Sequence, residues 1–323
     1  TDVDTPGCRV ECAGCIASMS RALHFTPGYH SMPLASLIRL VLLGMIWGAS
    51  FLFQRITVPA VGVAFTASIR IVLSALMLVL IARVLGLSLQ WRTHWRVWLF
   101  LGTVNTAIPF LCFAAAARSL PAGYMAVINA TVPLLTVILA WAMFRIRPSA
   151  SKRAGVVVGL LGVAVLARYG SIAMTAPVLL GIGLLFAAAA MYAYIALYVR
   201  QYPLGVDPLV MAAASQLGAA FVILPLGIHS LPTELPSLQV LACLLVLGIV
   251  CTGVAYLLYF RLLSDVGSEK AVTNTFLVPL FAQLWGALFL DEHLTAFGAI
   301  GFALVLLAVA LVLEIRPWRK AQA

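Results

Sequence analysis

Arg70 is the one formally charged residue that falls well inside an apolar segment of this chain. A guanidinium at the centre of a membrane-spanning helix costs roughly 2.5–3.5 kcal/mol on insertion scales, so it is expected to face a cavity or a partner carboxylate. Its long side chain also has the option of reaching out to a nearby interface. The polar residue at the same depth 146 positions later, Gln216, favours the cavity. Trp47, beside Gly48, offers an indole donor to such a cavity. Asn129 and Thr131 precede Pro133, while Thr273, Asn274 and Thr275 precede Pro279. A proline inside a helix frees the carbonyl four residues earlier, here those of Asn129 and Thr275. Freed carbonyls among amide side chains suit a zwitterionic substrate or a moving helix, and equally suit bonds between neighbouring helices. With Tyr256, the candidate substrate-binding residues are Arg70, Trp47, Asn129, Asn274, Gln216, Thr275 and Tyr256; Asn105 and Tyr259 stand behind them. Tyr192, Tyr194 and Tyr198 crowd one segment, but Tyr192 and Tyr194 cannot share a helix face.

Other chemistries are poorly served. Cys8, Cys12 and Cys15 have the C-x3-C-x2-C spacing of a cluster-binding motif, with His24 and His30 following. Such a cluster needs a surrounding soluble barrel, so no metal or other cofactor is expected. Cys112, Cys243 and Cys251 fall in apolar stretches where cysteine behaves as a small hydrophobe. There is no phosphate-cradling loop with its lysine and no nucleophile–base–acid set, so neither an ATP-driven pump nor an enzyme is expected.

The elements that must position these residues are membrane helices. The chain is 63% hydrophobic and 9% charged, against about 25% charged in ordinary soluble domains. Charge-poor runs recur near 34–53, 64–83, 97–117, 122–144, 152–168, 177–199, 208–228, 238–263, 270–290 and 294–313. Most match the roughly 20 residues that cross a hydrocarbon core, and they lack the alternation of a membrane barrel. Gly155-x3-Gly159-x2-Gly162 reads as close helix packing.

Residues 34–168 overlie 180–314 without a gap at a spacing of 146, matching Gly102 with Gly248, Thr106 with Thr252, Pro133 with Pro279 and Gly155 with Gly301. Five spans per copy is odd, so the second copy enters the membrane inverted. The fold class expected is all-α integral membrane, ten transmembrane helices as two inverted five-helix repeats. With the N-terminus inside, sixteen of the 20 basic residues fall on cytoplasmic segments, and Arg55, Arg118 and Arg168 fall outside. That bias places both termini in the cytoplasm and accounts for the net charge of +10 without nucleic acid. The turn containing Arg145, Arg147, Lys152 and Arg153 has as its shifted counterpart Asp291-Glu292-His293, the change of sign that inversion demands. Residues 1–33, beginning at Thr1, are expected to be a disordered or mis-assigned leader, and 315–323 a basic cytoplasmic tail.

The segments Gly44-Met-Ile-Trp47-Gly48-Ala-Ser50, Thr66-Ala-Ser-Ile-Arg70, Ala130-Thr-Val-Pro133, Phe276-Leu-Val-Pro279 and Leu290-Asp291-Glu292, with Gly298-x2-Gly301, together resemble the EamA family of the drug/metabolite transporter superfamily. The resemblance spans residues 34–314 and implies export of small metabolites, such as amino acids or related compounds, across the cell (inner) membrane. One departure is Ile146, where the second copy has the family-like Glu292; an acid on that cytoplasmic turn opposes the charge rule, so no effect on transport is expected. The expected partners are a small-molecule metabolite and the lipid bilayer, in a monomer or homodimer. The alternative is a non-transporting or lipid-acting membrane protein on the same scaffold.

Overall fold

The computed structural model describes residues 32–169 and 172–314, all-helical apart from turns. The cysteine-bearing leader and the basic tail lie outside the described residues. The helices are α1 (Leu34–Val61), α2 (Val63–Val84), α3 (Trp91–Ala116), α4 (Ala122–Phe144), α5 (Ala150–Tyr169), α6 (Ala176–Gln201), α7 (Pro208–His229), α8 (Leu238–Gly267), α9 (Asn274–Leu290) and α10 (Ala296–Val312). Seven of them, all but α5, α9 and α10, are long and apolar enough to cross a membrane. Helices α9 and α10 are apolar but only 17 residues long. Helix α5 opens on Ser151-Lys152-Arg153, which lowers its hydropathy.

Several boundaries differ from the sequence expectation, and two of them bear on the site. Helix α1 runs on to Val61 rather than ending near residue 53, because Gln54 is buried and Arg55 finds partners inside the protein. The segment before Pro279 is not continuous: Gly267 leaves the helical region at φ 77°, a helical turn follows, and α9 begins only at Asn274.

The 146-residue spacing reaches the backbone. Helix α3 loosens into a π-helical stretch at Thr103–Ala107, and α8 does so at Val246–Val254, the shifted position. Such bulges change which side chains face inward and recur at functional sites. Helices α4 and α9 both end on a left-handed residue, Arg145 at φ 56° and Asp291 at φ 52°.

Small residues set the helix packing. A Cβ on Gly162 would fall 2.9 Å from the Val305 nitrogen, and one on Gly301 would fall 2.9 Å from the Gly162 oxygen. Helices α5 and α10 therefore lie backbone against backbone, as the glycine spacing predicts. Gly48 does the same for α1 against α9, where an added Cβ would sit 2.8 Å from the Ala282 nitrogen. Lipid tails are as apolar as leucine, so this contact density, rather than apolar burial, holds the helices together.

Candidate functional site

A cavity of about 740 Å3 opens between the helices. Helix α1 contributes Trp47, Ser50, Phe51 and Gln54, which at i, i+3, i+4 and i+7 form one helical face. Ser50 donates to the Trp47 carbonyl at 2.7 Å, and the Gln54 amide to the Ser50 carbonyl at 3.2 Å. Trp47 meets the Tyr259 ring at 5.5 Å, and Phe51 meets Phe113 edge-on at 5.8 Å. One wall is thus aromatic, with an amide near its end.

Arg70 lies on the cavity wall and is 7% exposed. Two contacts orient it. Its Nε donates to Thr252 Oγ1 at 2.9 Å, and its guanidinium carbon lies 4.0 Å from the centre of the Phe110 ring. Thr252 in turn donates to the Leu247 carbonyl at 3.0 Å, five residues back, within the π-helical stretch of α8. The loosened helix thereby holds the hydroxyl that holds the arginine. Among the described residues no carboxylate reaches ion-pair distance of Arg70.

Asn129, Asn274 and Thr275 also line the cavity. Pro133 does more than kink α4: the helix breaks at Ala130–Thr131 and restarts at Val132. Asn129 is the last residue before that break, and Asn274 the first of α9. The Asn129 Oδ1 and both amide atoms of Asn274 are buried without a hydrogen-bond partner. A buried, unmade hydrogen bond costs about 1–3 kcal/mol, and on a cavity wall a ligand or water is able to make it.

Tyr256 lines the cavity; Gln216 does not. The Gln216 side chain is 1% exposed and sits beside the Tyr256 hydroxyl, off the cavity surface. Helix α7 brings it there by packing closely on α3, where a Cβ on Gly218 would clash with the Trp98 carbonyl. Of the α6 tyrosines, only Tyr192 reaches the cavity; Tyr194 and Tyr198 meet Phe100 edge-on. The expectation that these three would not share a face holds.

Sequence reasoning missed Gln54, Thr252, Lys152 and Arg200. The α1 spacing signalled Gln54, and the repeat match of Thr106 with Thr252 marked that position without its role. Lys152, at the start of α5, and Arg200, at the end of α6, extend the cavity lining to those helix ends.

At the opposite end of α4 the two copies are tied together. Glu292, on the α9–α10 turn, accepts from the Ala122 amide at 2.8 Å and 3.1 Å through its two oxygens. Arg55 Nε lies 3.3 Å from Glu292 Oε1, and Arg55 also donates to the Ala117 carbonyl at 2.9 Å. A carboxylate at the start of α4 suits the positive end of that helix. Burial pushes the Glu292 carboxyl above the usual carboxylate range; the Arg55 guanidinium and the amides of Ala122 and Gly123 pull it the other way. Of the two acids at this turn, Asp291 and Glu292, it is Glu292 that ties the second copy to α1 and α4 of the first.

The comparisons with known proteins agree with this architecture. A solved crystal structure 20% identical in sequence superposes with a TM-score of 0.60 over 87% of this chain and 96% of its own, which shows the fold alone. An uncharacterised transporter of Bacillus subtilis (strain 168), YvbV, is 24% identical over 288 residues, 88% of this chain and 93% of the relative. An uncharacterised transporter of Archaeoglobus fulgidus is 22% identical over 272 residues, 84% of this chain and 95% of the relative. The model of the EamA-like transporter family matches twice, over residues 34–168 and again over 179–314. This multi-pass membrane chain belongs to the EamA-like transporter family.

Proposed function

We propose that the chain is a secondary transporter of the cell (inner) membrane that exports small organic metabolites of amino-acid size, amino acids and related compounds among them, by alternating access. The observation that carries the reading is the cavity itself, about 740 Å3 and polar at named points, with Glu292 linking the α9–α10 turn to α1 and α4. Ten membrane-spanning helices in two inverted halves, with both termini cytoplasmic, put its mouth at Lys152 and Arg200 on the cytoplasmic face. Glu292 then bars the outer face. In the other state the Glu292 contacts part, and the α5 and α6 ends close over the mouth.

The substrate-binding roles fall to Arg70, Trp47, Asn129, Asn274, Thr275 and Tyr256, with Gln216 supporting Tyr256 from behind. The protein acts as a carrier rather than an enzyme. The test is flux in proteoliposomes loaded with a broad panel of labelled metabolites. Saturable, protein-dependent flux of at least one compound is expected; flux of none sinks the reading.

A further inference from the structure

The residues lining the cavity include three cations, Arg70, Lys152 and Arg200, and, among the described residues, no aspartate or glutamate. Lys152 has an acid behind it, Glu314 at 3.9 Å, but both side chains are more than a third exposed and the pair lies at the mouth. Exposed pairs of this kind contribute little. Deep in the cavity Arg70 is the only charge. Its Nε is committed to Thr252, and its guanidinium lies against Phe110. A guanidinium desolvated in this way is a planar fork for a carboxylate.

A second, independent observation points to a ligand. Asn274 is 2% exposed, lines the cavity, and leaves both amide atoms without a partner, as Asn129 does with its Oδ1. These are neutral donors and acceptors, suited to a hydroxyl, carbonyl or amide. The same lining carries rings, Trp47, Phe51, Phe113 and Tyr259 among them.

We propose that, within the transporter reading, the cavity is built for an organic monocarboxylate. Its carboxylate meets Arg70, a flat apolar body lies on the aromatic wall, and a neutral hydrogen-bonding group reaches Asn129 and Asn274. An added ammonium group meets a lining with three cations and no acid, so zwitterions and amines bind more weakly than the corresponding acid. The arginine fork discriminates by charge, and the amides by shape.

This assignment rests on the transporter reading, and two separate measurements keep the two apart. Four probes share the 4-hydroxyphenyl body and differ in the head group and its charge: 3-(4-hydroxyphenyl)propanoate, its neutral amide, tyrosine and tyramine. Binding is read as thermal stabilisation of the full chain in detergent, and flux is read in proteoliposomes. The propanoate is expected to stabilise the protein at concentrations at least about tenfold below the other three. Arg70→Gln should erase that preference, while Arg70→Lys keeps it in weakened form. The melting curve of each ligand-free variant shows whether it has folded.

Equal or better binding of the amide, tyrosine or tyramine overturns the charge assignment, as does an Arg70→Gln variant, folded, that still prefers the propanoate. A preference that depends on Arg70 without flux of any probe or metabolite leaves the site assigned and removes the transporter reading. Neither binding nor flux overturns both.

Discussion

Glu292 and Ala122 lie 170 positions apart in the chain, yet the Ala122 amide donates to Glu292 Oε2 at 2.8 Å. Arg55 adds an ion pair from a third element at 3.3 Å. One side chain of the second copy thus meets two helices of the first. Its counterpart in the first copy is Ile146, which has no carboxylate to offer. The sequence expectation that this difference is without effect on transport now meets a competing proposal, that Glu292 is the contact that opens and closes.

Glu292→Ala should leave the Ala122 amide without its acceptor and Arg55 without its anion. Hydrogen bonds to charged groups contribute about 1.5–3 kcal/mol each, so the expected loss of stability of the closed form is in that range. Differential scanning of the purified variant measures it. The same variant should bind more weakly any ligand that requires the closed arrangement. An unchanged melting curve with unchanged binding would rule out the contact as a latch.

The Glu292 carboxyl also predicts a pH dependence. Arg55 faces it from α1, the Ala122 and Gly123 amides face it from α4, and Gly286 of α9 lies beside it without charge. Asp291, His293 and Arg118 nearby are exposed. In the closed arrangement burial raises the carboxyl above the ordinary range; once opened to water it returns to that range. A proton is then held more tightly when the contact is closed, so acidification through the raised value favours closure and higher pH favours opening. The readout is thiol labelling of Ser50→Cys, in a cysteine-free background, from the Glu292 side, with each rate divided by that of the same thiol in the unfolded chain at the same pH so that thiolate formation cancels. Labelling should slow as pH falls towards the ordinary glutamate range, and Glu292→Gln should flatten the dependence. A slope that survives in Glu292→Gln assigns it to another group.

Asn274→Ala separates two roles for this amide. If Asn274 served as a bond between helices, its removal would cost stability. Its amide atoms lack partners here, so truncation is expected to leave the melting temperature unchanged or slightly raised while lowering transport several-fold. A clear drop in melting temperature with intact flux would return Asn274 to a structural role.

Thr252→Val removes the acceptor that fixes Arg70 Nε while keeping nearly the same shape. The donor is a charged guanidinium, and bonds of that kind contribute about 1.5–3 kcal/mol, so substrate affinity should fall by up to roughly ten- to a hundredfold with the fold retained. Isothermal titration of Thr252→Val against Thr252→Ser checks this, since serine restores the hydroxyl. Affinity equal in all three shows that Phe110 alone orients the guanidinium.

Gly162→Leu places a large side chain where a single Cβ already falls 2.9 Å from the Val305 nitrogen. Overpacking of this kind costs about 1–3 kcal/mol or more. The α5–α10 pair should separate, and the variant should accumulate poorly in the membrane, as seen by quantitative blotting. Gly183→Leu, with open space around its Cβ position, is the matched control.

The sequence by itself determined the features that are local or periodic. Hydropathy located the helices to within a few residues at most ends, because twenty apolar residues in a row have no other stable place. The 146-residue spacing marked Thr252 and the end positions Arg145 and Asp291 before their backbone was visible. Arg70 stands out because a charge in an apolar run is conspicuous from composition alone, and the i, i+3, i+4, i+7 spacing of Trp47, Ser50, Phe51 and Gln54 is likewise legible in the sequence. Tertiary structure decided what depends on helix rotation and on contacts between distant residues. Only packing could show that Gln216 stands beside Tyr256 and off the cavity surface, that Arg70 leans on Thr252 and Phe110, or that Glu292 reaches Ala122. The physical reason is the membrane itself. With apolar residues on every side of each helix, hydropathy gives depth but not direction, and the direction comes from where glycines let two backbones touch.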